Sequence, residues 1–341
     1  MALLAGCSGA GGSQSSTPAT GMNPAAVGGH APGAAGHKGT FTSVKMPKVH
    51  SDKGKSHVSP DAGNAPRLLF ISDDGTNDVY MFKMPSMTLK GTLTGFSEPQ
   101  GMCADKAGNI WITNTGTLQI YQYSRTGTLL NTLSDPDGDP VGCAIDKSTG
   151  DLAVTNIFDN SGNATVDVYA NATGTPTSYS NPAQSENFFP SYDNSGNLYV
   201  DGFGNSGFSL SVLPSGSSSM TTVSVSGGTI FFPGGMNYKG GSLIIGDQEC
   251  NGGSDSCQYA TTVSGSTATI TGSTPLENSD GGACDVDQGT IAPQGKYFAG
   301  GCITEGSGAS TAARWAYPAG GIPTNFSTNV SEPIGAAISA K

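Results

Sequence analysis

Four side chains with oxygen donors recur at the same place in a repeating pattern. Asp73, Asn114, Asn156 and Asp247 close the runs LLFISD, IWITN, LAVTN and LIIGD, and Asp201 falls one residue early in LYVDG. Carboxylates and amide carbonyls are the ligands that Ca2+ and other hard cations take, so the four would make a metal site if the fold brought them to one axis. Alternatively, each accepts hydrogen bonds from the turn that follows it, as Asp and Asn commonly do. The residue types admit both readings, and Ca2+ is the one cofactor to which they point.

Histidine-based chemistry is excluded by position. His30, His37, His50 and His57 all precede residue 66, and beyond it a Ser-His-Asp or Cys-His constellation lacks its base. Asp105, Asp146 and Asp193 stand before Gly-containing turns and read as turn formers. No catalytic residue is assigned. Phe188-Phe189 and Phe231-Phe232 precede equivalent apolar runs and are placed at one mouth of a channel, while Trp111, Tyr121, Tyr123, Tyr199 and Trp315 alternate within runs as packing residues.

The elements that must position these residues are short strands. Pro99 to Leu133 reads as an apolar run, a Gly108-Asn109 turn, IWITN, a loop, QIYQYS, a Thr126-Gly127 turn and LLNTL, which is four strands separated by turn signals. The plan repeats from Pro140, and less clearly from Pro190, Pro233 and Gly289. Units recur about every 41 to 52 residues, near the length of a four-stranded propeller blade. The chain ends on SEPIGAAISAK, an echo of SEPQGMCAD at Ser97, so a first strand stands last with no second strand after it. Conversely, RLLFISDDGTNDVYMFKMPSMTLKGTLTG, from Arg67, supplies second, third and fourth strands without a first. Joining the two ends gives an all-β, six-bladed β-propeller over residues 66–341, closed by pairing of the C-terminal strand with the N-terminal blade and free of exposed edges at that seam.

The phrases P-x-G-x-x-x-D, G-N and IWITNTG resemble the NHL-repeat family of β-propellers over roughly residues 67–341, and more loosely the six-bladed group that includes gluconolactonase-type enzymes. The resemblance implies the fold and leaves activity open, because propellers carry many unrelated functions. In gluconolactonase-type relatives a metal-binding Asn stands in a Pro-Asn-Gly phrase; here Gln100, Val141 and Ile334 hold that slot, which argues against carrying the metal site over.

Leu4-Ala5-Gly6-Cys7 resembles a bacterial lipobox, with Cys7 as the lipidated residue and residues 1–7 as a signal lacking its front part. Residues 8–65 are rich in Gly, Ala, Ser, Pro, Lys and His, with few large apolar side chains, and are expected to form a disordered tether. The other six cysteines suit an oxidising compartment. Cys250 with Cys257, Cys284 with Cys302 and Cys103 with Cys143 is the preferred pairing, the last pair standing equally well as buried free thiols.

The formal net charge is −11, with only 15 Lys and Arg, so a phosphate backbone is repelled and nucleic acid is not an expected partner. Together these features describe a non-enzymatic, extracytoplasmic, monomeric protein that binds a protein, glycan or small ligand, either secreted or held at the cell envelope by its lipid anchor alone. The alternative is a metal-dependent lactonase or hydrolase of the gluconolactonase-like kind.

Overall fold

The computed structural model describes residues 56–135, 138–253, 255–304 and 309–341. Cys7 and the tether up to residue 55 lie outside the described residues. The first sheet takes β1 (His57–Val58), β2 (Arg67–Asp73), β3 (Asp78–Lys83) and β4 (Thr88–Leu93). Four antiparallel strands follow in each of the next groups. These are β5 (Pro99–Ala104), β6 (Ile110–Asn114), β7 (Gln119–Tyr123) and β8 (Leu129–Ser134), then β9 (Gly138–Ile145), β10 (Leu152–Asp159), β11 (Thr165–Tyr169) and β12 (Thr177–Tyr179). Next come β13 (Gln184–Tyr192), β14 (Leu198–Gly204), β15 (Gly207–Leu213) and β16 (Thr221–Ser226), then β17 (Pro233–Lys239), β18 (Ser242–Asp247), β19 (Ser256–Ser264) and β20 (Thr267–Leu276). The last group is β21 (Gly289–Ile291), β22 (Tyr297–Cys302), β23 (Thr311–Ala316) and β24 (Gly320–Ser327). Finally, β25 (Pro333–Ala340) returns to the first sheet and runs antiparallel to β2, with Arg67 opposite Ala340 and Asp73 opposite Pro333.

The second strands are apolar on both faces because both faces are covered. Side chains alternate across a strand, so Leu68 and Phe70 pack with Met102, Ile110 and Ile112 of the next group, while Leu69 and Ile71 pack with Ala299 and Ala312 of the last. The same alternation joins Trp111 to Cys143 and Val154, Ala153 to Leu198, Tyr199 to Leu243 and Ile245, and Ile244 to Phe298 and Trp315. Every group is thus packed between two neighbours, and the sequence of neighbours returns to its start.

The first strands meet in the same cyclic order, β25 against β5, β5 against β9, β9 against β13, β13 against β17, β17 against β21 and β21 against β25. Their backbones approach so closely that the Gly of Pro-x-Gly is a steric requirement. A Cβ on Gly335 would collide with the Gln100 carbonyl oxygen, and one on Gly101 with that of Val141. Around the outside, β16 and β20 pair in parallel, and β20 touches β24, while β1 covers the outer edge of β4.

One boundary is corrected. The tether was expected to run to residue 65, but residues 56–65 are ordered. His57 and Val58 pair with Thr92 and Gly91, Asp61 forms an ion pair with Lys90 at 2.8 Å, and Ala62 and Ala65 are buried in the first core cluster. Edge pairing uses backbone groups and the core accepts small side chains here, so a search for large apolar residues passes over this segment.

Because β25 supplies the inner edge of the first sheet and buries Ile334 and Ile338, deleting residues 333–341 is expected to lower stability by at least about 4 kcal/mol, from the apolar burial alone. Urea denaturation of the truncated and full chains tests this; coincident curves would contradict the structural role given to the strand.

Candidate functional site at the axis

Among the described residues no group of three or more His, Cys, Asp or Glu side chains is arranged to hold a metal ion. Asp73, Asn114 and Asp247 each fasten the segment that leads into a first strand. Asp73 accepts from the backbone N–H of Ser331 at 2.6 Å and Glu332 at 3.2 Å, just before β25, and from Thr76 at 3.1 Å. Asn114 accepts from Ser97 N–H at 2.9 Å, just before β5. Asp247 takes Phe231, Phe232 and Glu249 N–H at 3.2, 3.0 and 3.1 Å, and Asp201 takes Phe189 N–H at 2.8 Å. Asn156 donates to Thr165 and Asp167, and Gly138, which opens β9, lies so close to its amide that a Cβ would collide with it. In the last group the equivalent residue is Cys302, which forms a disulfide with Cys284 ahead of β21. A covalent bond there replaces the hydrogen-bonded staple.

The same end of the axis carries carboxylates on one side and phenylalanines on the other. Asp74 is pushed up to about 7, by burial first and then by Glu332, Glu98 and Asp73. Burial, then Asp139, raises Glu98, and burial raises Asp139 itself. Opposite them, Phe188, Phe203 and Phe232 meet edge to face with centroids 5.2–5.9 Å apart. These rings are mostly covered; Phe231 alone of the two Phe pairs is exposed.

The other end of the axis opens into a cavity of about 460 Å³. Its wall takes residues from β5, β9, β13, β17, β21 and β25, and the Cys103–Cys143 disulfide between neighbouring first strands is part of it. With Cys250–Cys257, all three preferred cysteine pairs are bonded. The floor is Gln288, whose Oε1 accepts from Met102 N–H at 2.8 Å and Ala336 N–H at 3.2 Å while Nε2 donates to Met102 C=O at 3.2 Å. Asn237 clamps its neighbour in the same way, donating to Gly289 C=O and accepting from Ile291 N–H, both at 3.0 Å.

Lysines border the mouth: Lys106, Lys147, Lys239 and Lys341. The first three stand where a first strand turns toward the second: Lys106 and Lys147 in the hairpins after β5 and β9, Lys239 as the last residue of β17. The nearby acids are engaged in their own turns. Asp105 accepts from Ala107 N–H, Asn109 N–H, Asn109 Nδ2 and Gln122 Nε2 at 2.8–2.9 Å, and Asp146 from the N–H and hydroxyl of Ser148 at 2.7 Å. That is the turn-forming role expected of them.

Two outcomes follow. Asp247→Ala strips the acceptor from three backbone N–H groups and is expected to cost about 3 kcal/mol, whereas Asp247→Asn keeps an acceptor and costs about 1 kcal/mol or less; chemical denaturation in metal-free buffer reads both. Asp74 is protonated in the folded chain and ionised in the unfolded chain between about pH 4 and pH 7, so its contribution falls through that window and is level above it. Asp74→Asn is therefore expected to stabilise the chain at pH 8 by up to about 4 kcal/mol and hardly at all at pH 4; melting curves at both pH values decide it.

No family model and no curated protein matches this chain. Solved structures do. A chain of the nidogen/laminin complex aligns with a TM-score of 0.57 at 12% identity, covering 80% of this chain and 98% of that one. A protein of unknown function from Bacteroides caccae aligns at 0.59 and 12%, covering 81% and 100%. A functionally unknown protein from Desulfotomaculum acetoxidans aligns at 0.53 and 8%, covering 80% and 99%. At these identities the likeness is one of fold, and the fold is a β-propeller.

Proposed function

We propose that the chain is a non-enzymatic, extracytoplasmic binding protein, built as a six-bladed propeller of NHL-repeat type, that takes its ligand in the axial cavity. The ring is closed where β25 joins β2, and the cyclic order of first-strand contacts supports that count. The observation that carries the binding role is the cavity itself: about 460 Å³ is within the range of small-molecule sites, roughly 300–1,000 Å³, and strands from every group reach its wall. Its cysteines are joined to one another and its acids are occupied by turn N–H groups, so the wall offers recognition groups rather than a nucleophile and base.

Disulfides support an oxidising location, and among the described residues no helix is long and apolar enough to cross a membrane. Attachment through Cys7 would hold the propeller at the cell envelope. A neighbour crystallised within a complex accords with a binding role. Calcium is not needed for this reading, because Asp73, Asn114 and Asp247 already accept from backbone N–H groups.

The contrary reading, a metal-dependent lactonase, has a direct assay. The full chain is expected to leave γ-lactones and aryl esters untouched above the buffer rate with or without 5 mM Ca2+, Mn2+ or Zn2+. Metal-dependent turnover that disappears in Asp247→Ala would overturn the proposal.

A further inference from the structure

The mouth of the cavity carries four lysines and one carboxylate, Asp105, which is held by its own turn. Lys106, Lys147, Lys239 and Lys341 border it, and they arrive from four different parts of the chain. Lys239 donates to the Pro293 carbonyl, which fixes one ammonium group beside the opening. Lys90, on the outer rim, has a carboxylate partner at 2.8 Å. By contrast, no carboxylate among the described residues comes within 4.0 Å of the four lysines at the mouth. In a chain of formal net charge −11, such a gathering of unpaired cations runs against the overall charge. A recessed opening in which cations outnumber carboxylates focuses a positive field on whatever enters.

Beneath the rim the wall mixes apolar residues such as Met102 and Met236 with neutral polar ones. Ser191, Asn237, Gln288 and Thr290 line it beside the backbone of the first strands. Hydroxyls, amides and strand edges of this kind suit a ligand rich in oxygen. Resting on the axial-cavity reading above, we infer that the ligand is a small organic anion with at least two negatively charged groups, held by the lysine rim with its oxygen-bearing body against the strand edges. The opposite end of the axis, lined by Glu98, Asp139 and Glu332, repels the same ligand, so it binds from the lysine side.

Calorimetric titration of the full chain with citrate, digalacturonate and maltose tests this, maltose being the uncharged disaccharide control. Both anions are expected to bind, with affinity falling at least about tenfold between 20 and 300 mM NaCl as the charges are screened. The triple variant Lys106→Gln, Lys147→Gln, Lys239→Gln is expected to weaken both anions about thirtyfold or more, while the triple Lys→Arg variant stays within about threefold and Lys90→Gln is unchanged. A thermal melt of each variant establishes that it is folded. Maltose binding as tightly as digalacturonate, unaffected by the triple Gln variant, would overturn the anion inference and leave the cavity reading standing. Anion binding that survives the triple Gln variant would place the site elsewhere and overturn both. Failure of both anions to bind at about 5 mM would overturn the anion inference, with maltose then deciding the cavity reading.

Discussion

A strand that faces an axis has one edge with no strand to pair with. Each first strand here is hydrogen-bonded to its own second strand on one side, and its other edge turns inward, where unpaired N–H and C=O groups are costly if buried. The chain meets that demand with side chains that imitate a neighbouring strand. Gln288 gives Met102 both an acceptor and a donor, as a ladder partner would. Asn237 does so across Gly289 and Ile291, and Ser72 accepts from Gly335 while donating to Gln100 C=O. Thr115 and Thr155 donate to carbonyls of the next first strand. These amides and hydroxyls set how closely the strands converge, and the Pro-x-Gly glycine is what that distance demands.

The two ends of the axis differ because the chain enters and leaves them differently. At one end long connections cross from the outside of one group to the inside of the next, and each arriving segment has to be pinned before its strand begins. Asp73, Asn114, Asp201, Asp247 and the Cys284–Cys302 disulfide do the pinning. At the other end the connections are tight hairpins that satisfy themselves, as Asp105 does with Ala107 and Asn109. Carboxylates are spent on structure in both places, which leaves Lys106, Lys147 and Lys239 without a carboxylate partner among the described residues.

Much of this was legible in the sequence. The Pro-x-Gly starts, the Gly-containing hairpins and the orphaned terminal strand located the groups, and cysteine spacing pointed to the bonded pairs. The Asp/Asn series was also visible, but its purpose was not. A residue at the end of a second strand is equally placed to reach a central ion or the segment crossing beside it, and the paths of Ser331–Glu332 and Phe231–Phe232 bring their N–H groups to Asp73 and Asp247. Gln288 and the lysine rim were hidden for a different reason. Their neighbours, such as Met102 for Gln288, lie nearly two hundred positions away in the chain, so their meaning exists only once the strands are arranged about a common axis.

Burial at the pinned end has an electrostatic consequence that bears on which end serves a ligand. Burial raises the proton affinity of Asp74, Glu98 and Asp139, and neighbouring carboxylates add to it at the first two, so further negative charge there is unfavourable. Phe188, Phe203 and Phe232 pack edge to face, a preferred aromatic geometry. At the lysine end the space is open, and the carboxylates of Asp105 and Asp146 there accept from their own turns. Gln288, a neutral amide bound to the backbone of β5 and β25, stands at the floor, so the ammonium groups above it have no carboxylate within ion-pair distance among the described residues.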